Sequence, residues 1–472
     1  MKKIKYIIYL FVALLATTSC EDFLNITPDG QSKRDDQLST PEGIEDAMYG
    51  VYSQLRSPSL YGQELYFYTI EIMAQNLYCV GNDGLTALEK YEYDKTEVKT
   101  RFESIWTAMY KNISNVNSVL TSPLVENATE FPYSIYRGEA LALRAFMHFD
   151  LVRLFAEQYT VNPEADGIPY ATEFSLNTPD FETLEKNYEH ILADLHEAEK
   201  MLEKEDEYEG VGNYMLDRKI HFNRYAVWAT LARVYLTMGN KEQAAKYALM
   251  AIENNGKYKL KDKTEVIDDL AGVLSEKECL FGVYFPGFFS YVNANLELFT
   301  TKQALYLRDD FTECYERDAS GTDFRFTAYF GIKSNGDTDK YRLSKFTDKY
   351  EANGTTSSRP AWKILGLNMI RIPEMYYILA EALMETEPDL ALEYYNTVRL
   401  HRGLDPLEGK ALDMNLINDE RFKEMIGEGQ TFFNMKRQNL PISSSNISDV
   451  VYKPENGIYV VPIPDIEKDN RN

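Results

Sequence analysis

The sequence predicts a mostly α-helical protein in which paired helices form a scaffold and one large, irregular, loop-rich insertion interrupts it. Three observations carry this expectation. Apolar residues recur at steps of three and four along several segments. Two of these segments pair with a neighbour through small residues, Ala232, Ala244 and Ala245 in one case and Ala380, Ala382 and Ala391 in the other. Between those two pairs lie about a hundred residues richer in Gly, Asp, Thr and aromatics, a length at which loops are usually functional or disordered. The interleaved aromatics argue for order.

The elements follow in chain order. Lys2, Lys3 and Lys5 precede an apolar run from Tyr6 to Ala16, then Thr17, Thr18, Ser19 and Cys20. Residues 1–19 read as a secretory signal, too short to remain as a membrane span of roughly 20 residues. Cys20 is the expected lipidation site, cleaved before and acylated. Residues 20–40, with Pro28, Asp29 and Gly30, read as a tether. Thr40 then caps a helix, with Pro41 in its first turn and Ile44, Met48, Val51, Tyr52 and Leu55 on one face. Phe102, Ile105, Trp106, Met109, Ile113, Val116 and Leu120 form the next stripe. Ala142, Ala145, Phe146, Phe149 and Val152 form a third, and Leu184 to Leu202 a fourth. Tyr225 to Met238 is a helix stopped by Gly239-Asn240, and Lys241 starts its partner, which Asn255-Gly256 ends. This unit looks like a tetratricopeptide hairpin. A second runs from Pro373 to Arg399. The uneven spacing excludes a regular solenoid. The expected organisation is one domain over 41–472: an N-terminal part to about 255, the insertion over about 256–370, and a C-terminal part from about 371.

Composition excludes several functions. The chain has 50 Lys and Arg against 74 Asp and Glu, for a net charge of −24. No basic stripe exists to neutralise phosphates, so nucleic acid is not an expected partner. An acidic surface repels anionic lipid heads, leaving membrane attachment to the lipid. Beyond Cys20 only Cys79, Cys279 and Cys314 remain, neither a disulfide scaffold nor a zinc-type pair.

No catalytic constellation stands out. Nucleophile elbows, zinc-binding His-Glu pairs and phosphate loops are absent; Gly403 to Lys410 has one residue too many and Ala411 where a hydroxyl is required. A glycosidase needs two carboxylates about 5 to 10 Å apart, and no spacing singles out such a pair. The protein is therefore expected not to be an enzyme. Glu428, in Gly427-Glu428-Gly429-Gln430, is read as structural, pairing with Arg421 and Arg437; Arg144 and Glu139 are read likewise. His148 is expected in the core. No cofactor or metal is expected; Asp337 and Asp339 alone are too few ligands for calcium.

A binding function points to the aromatics, with 35 Tyr and 24 Phe. Sugar rings present apolar C–H faces and equatorial hydroxyls, which suit a flat aromatic with amides, carboxylates or guanidinium at its edges. Two stretches have that mixture: Tyr78, Asn82, Asp83, Tyr91 and Tyr93, with Gly81 and Gly84 between them; and Tyr284, Phe288, Tyr291 and Asn293 around Pro286-Gly287. Trp106 and Trp228 lie on apolar stripes and are expected in the core.

Several segments together resemble one family. Cys20-Glu21-Asp22-Phe23-Leu24 with Pro28, Thr40-Pro41-Glu42-Gly43, Gly138-Glu139-Ala140 with Leu143-Arg144-Ala145, and Gly167-Ile168-Pro169 are similar to the SusD/RagB lipoproteins. Leu231-Ala232-Arg233-Val234-Tyr235, Glu420-Arg421, Gly427-Glu428-Gly429-Gln430, Lys436-Arg437 and Val461-Pro462-Ile463-Pro464 continue the match in order. The resemblance implies the SusD-like fold, with tetratricopeptide-like helix pairs carrying loops. It implies a surface-exposed lipoprotein of the outer membrane, Glu21 and Asp22 resembling the export signal of Bacteroidetes lipoproteins. It implies capture of a glycan, alternatively a peptide or other small nutrient, for a SusC-like TonB-dependent barrel. In such proteins ligand contacts tend to come from an early loop and the large insertion.

Overall fold

The computed structural model describes residues 34–469 apart from 176–178, 254–255, 269–273, 297–303, 309–310, 317–322, 336–337 and 347–362. Cys20 and Asp337, and the side chains of Asn293 and Asp339, lie outside the described residues.

The N-terminal part holds α1 (Pro41–Leu55), α2 (Thr96–Leu120), α3 (Tyr133–Phe155) and α4 (Leu184–Met201). Side chains close the open N–H groups at several starts: Thr40 accepts from Gly43 at 3.1 Å, and Thr183 accepts from Lys186 at 3.3 Å. The expected stripe of α2 is its buried face, from Val98 through Trp106 to Leu120. α3 differs from the expectation. It begins nine residues before its first stripe residue, Ala142, and is buried nearly all round, because it packs between α2 and α4 and also touches α1 and α5 (Arg224–Thr237).

The two expected hairpins are present. α5 and α6 (Lys241–Ile252) meet across Gly239, whose φ of +77° suits the turn, and Asn240 caps α6. α7 (Ile372–Leu383) and α8 (Pro388–His401) form the second pair, and α7 packs against α6, joining the pairs. α9 (Met414–Met425) follows.

Strands sit mainly in the insertion. β1 (Leu77–Val80) pairs antiparallel with β5 (Ala304–Leu307), and β4 (Cys279–Tyr284) with β8 (Gly366–Arg371); β2 (Asp166–Pro169) pairs with β3 (Phe181–Thr183), and β6 (Phe330–Asn335) with β7 (Thr338–Leu343). The insertion therefore has its own backbone pairing and docks onto the scaffold through β1 and β8.

Buried ion pairs hold these parts together. The Glu139 carboxylate accepts from Tyr52, Tyr214 and Arg218, each at 2.6 Å, and Arg144 forks onto Asp194 at 2.7 Å. Glu428 is structural, but its partners are Lys345 and Arg371, at 2.6 and 2.8 Å. Arg437 and Arg421 turn instead to Glu381 on α7, because Glu428 lies in the turn after α9 that faces the insertion. His148 is fully buried, its Nδ1 against the Arg144 carbonyl and its Nε2 accepting from Ala171 N–H. Trp106 is buried, while Trp228 is half-buried with its indole N–H donating to Glu199. Cys79, Cys279 and Cys314 are free thiols.

Candidate functional site

The early segment and the insertion, far apart in sequence, meet on one face. Tyr78 of β1 lies opposite Tyr306 of β5, their rings stacked with centroids 5.4 Å apart at 25°. The short helix Phe288–Leu296 sends Tyr291 to Gln63, whose amide oxygen accepts from the Tyr291 hydroxyl. Gln63 in turn donates to Glu64 at 2.9 Å, and Arg101 at the start of α2 donates to both Glu64 oxygens at 2.6 Å. The Arg101 guanidinium lies 5.3 Å over the half-buried ring of Tyr68.

The result is a continuous run of aromatic, amide, carboxylate and guanidinium groups: Tyr291, Gln63, Glu64, Arg101 and Tyr68. The Tyr68 hydroxyl makes no hydrogen bond to any described residue. Burial pushes it up to about 12, with Arg101 opposing, and both Cys79 and Tyr291 lie close enough to bear on it. It is thus a neutral donor and acceptor set between β1 and the insertion helix. Such a surface can stack an apolar ring face and hydrogen-bond the hydroxyls around its rim.

The other expected residues divide. Tyr284 ends β4 with 48 % of its surface exposed, and Asp83 is exposed. Asn82 caps the helix Asp83–Glu89, its side-chain oxygen accepting from Leu85 N–H at 3.0 Å. Tyr78 retains 9 % exposure under its stacking partner. Tyr91 and Phe288 lie in the core, as Tyr78 does, and Tyr93 is partly buried against it. Tyr91 is 8 % exposed and donates to the Met73 carbonyl at 2.6 Å; Tyr93 donates to the Ile458 carbonyl at 2.5 Å; Phe288 is 2 % exposed against Phe67 and Phe346. Buried carbonyls need donors, and these hydroxyls supply them. Gln63, Glu64, Tyr68, Arg101 and Tyr306 were not expected. Arg101 lies off the apolar stripe of α2, and Tyr68 closes an aromatic run from Tyr66; those are the only signals the sequence holds for them.

Comparison with known proteins decides the family. Residues 22–236 match the family described as starch-binding and associating with the outer membrane, and residues 314–461 match the SusD family itself. The chain belongs to the SusD family. SusD-like proteins P2 and P38 of Formosa agariphila are 24 % and 23 % identical to it, covering 98 % and 93 % of this chain and 96 % and 92 % of theirs. A SusD superfamily structure from Bacteroides thetaiotaomicron superposes with a TM-score of 0.74 at 23 % identity, over 91 % of this chain and 97 % of that one. A laminarin-binding SusD-like protein superposes at 0.66 and 19 % identity, over 91 % and 97 %. These likenesses show the SusD fold. No described helix of this SusD-family chain is long and apolar enough to cross a membrane, and no group of three metal-ligating side chains is found among the described residues.

Proposed function

We propose that this protein captures a glycan at the cell surface and passes it, unaltered, to a SusC-like TonB-dependent barrel, while a lipid on Cys20 holds it to the outer membrane. The observation that carries the reading is the run from Tyr291 to Tyr68, where half-buried rings and planar polar groups are held together between the early part of the chain and the insertion. The laminarin-binding relative supports a glycan cargo. A few stacks and hydrogen bonds, less the cost of association, give a dissociation constant of roughly millimolar to micromolar, suited to capture followed by release.

The test is affinity electrophoresis and calorimetry of the full-length protein in detergent against soluble polysaccharides, laminarin among them, and against peptides. Retardation by a glycan, lost in Tyr291→Ala and in Tyr68→Ala, is expected. Silence across all glycans with heat from peptides moves the cargo to a peptide. Reducing sugar released by the wild-type protein overturns the non-catalytic reading.

A further inference from the structure

A cavity of about 220 Å³ lies beside α9 and the helix Thr431–Arg437 and holds none of the residues placed in the glycan site. It adjoins a buried imbalance of charge. Arg233 grips both oxygens of Glu374 at 2.6 Å, and Arg437 grips both oxygens of Glu381 at 2.6 Å. Arg421, which lines the cavity and is only 9 % exposed, has no carboxylate of its own. Its nearest is the already forked Glu381, at 3.7 Å, beyond hydrogen-bond length.

Among the described residues, neither Nε nor Nη2 of Arg421 finds an acceptor, and Oγ1 of Thr431, also on the cavity wall, finds no partner. Burial, and then the like charge of Arg437, pull Arg421 below the usual guanidinium range, to about 10. Asn418 and Asn434 on the same wall are neutral and bond to each other and to Gln438 and Arg437. A buried cation in this state is stabilised by any anion that can reach it.

The rest of the wall says what kind of anion. Phe311, Phe422, Met425, Met435 and Leu440 give it its apolar surface, and Arg308, Glu313 and Asp419 also line it. A dry protein cavity of roughly 150 Å³ takes benzene, so this one has room for a ring and an acid group. A planar guanidinium matches a planar carboxylate, whereas phosphate would leave oxygens unpaired against carbon. We propose that this cavity binds a small carboxylate with an apolar, ring-sized body, its acid group facing Arg421 and its body against Phe422, Met425 and Met435.

The probe is sodium benzoate, titrated into the full-length protein in detergent against a detergent blank, with neutral benzamide, glucuronate and inorganic phosphate as comparisons. Cys314, partly exposed on the same wall, reports occupancy through its rate of alkylation. Saturable one-to-one binding of benzoate is expected, at least tenfold tighter than benzamide, with slowed alkylation of Cys314. Arg421→Gln should abolish it; because a buried arginine can be needed for folding, Met435→Trp, which fills the cavity, is the second variant and should also abolish it while leaving glycan retardation unchanged. Benzamide binding as well as benzoate removes the role of Arg421. Preference for glucuronate removes the apolar body, and preference for phosphate removes the carboxylate. Benzoate heat without protection of Cys314, or no heat at all, overturns the site.

Discussion

Tyr291 and Glu139 show two uses of a polar group in this chain. Tyr291 is half-buried and tied to Gln63, so its ring is presented at a fixed angle; Tyr291→Phe should keep the stack but release Gln63, weakening glycan binding by about three- to tenfold, as for loss of a neutral hydrogen bond, in calorimetry. Glu139 is fully buried. Burial raises its carboxyl, but Arg218 and then His221 outweigh that and hold it at about 2. Removing the carboxylate in Glu139→Ala leaves Arg218 with Glu205 alone, and a loss of about 3–5 kcal/mol in urea unfolding at pH 7 is expected. Glu89 is the opposite case. It is 3 % exposed, accepts from Cys79 N–H at 3.2 Å, and burial pushes it up to about 7. The folded state therefore keeps a proton that the unfolded state releases near 4.5, so this group's contribution to stability falls as pH rises from about 4.5 to 7. Glu89→Gln should flatten that slope and raise stability at pH 8 by about 1–3 kcal/mol, measured by denaturation at pH 5 and pH 8.

Helices whose burial is one-sided were legible; those buried all round, and the short strands, were less so. The stripes of α1, α2 and α4 name their own inward faces because water covers the other side. α3 has no wet face, so periodicity marks its C-terminal half and not its start at Tyr133. β1 and β5, more than two hundred residues apart, carry no signal of their pairing, and with them the stack of Tyr78 on Tyr306 was hidden. Close packing of elements has a direct test at Gly138 in α3. A Cβ there would lie 2.7 Å from Leu202 Cγ and 3.0 Å from Met201 Cβ at the end of α4. Gly138→Ala should therefore lower stability by about 1–3 kcal/mol from overpacking, although alanine favours a helix interior by roughly 0.5–1 kcal/mol. A fall in Tm, and not a rise, is the expected result.

An ionic core joins the insertion to the C-terminal part. Arg402 and Arg371 converge on Glu278 and Glu424, and Arg325 joins Glu424 to Glu420 and Asp323, linking the residue before β4, β8, the residue after α8, and α9. Burial opposes the Glu420 charge, but Arg325 and Lys423 hold it at about 2. With Glu139, it contributes stability that is present above about 4.5 and lost as pH falls toward 2. A steep acid transition in that window, linking the insertion to the scaffold, is expected by circular dichroism; unchanged stability from pH 5 to pH 2 would contradict it. At the alkaline side, burial lowers Lys436 to about 7 and Lys345 to about 8. Folding releases their protons, so their burial costs less as pH rises through 7 to 10.

The helical class, both helix pairs and the family were legible in the sequence, because these rest on periodicity and ordered local motifs that each segment carries alone. Of the two expected aromatic stretches, the second supplies Tyr291 to the run with Gln63, while the first supplies the stack of Tyr78 on Tyr306. Tertiary structure decided which aromatic rings stay half-buried and which are tied into the core. Tyr91, Tyr93 and Phe288 have the same chemistry as Tyr68 and Tyr291, and differ only in having a buried carbonyl or another ring waiting for them. It likewise decided that Glu428 pairs with Arg371 and leaves Arg421 without a carboxylate of its own. Those outcomes depend on which distant group arrives within about 3 Å, and no local pattern encodes that distance.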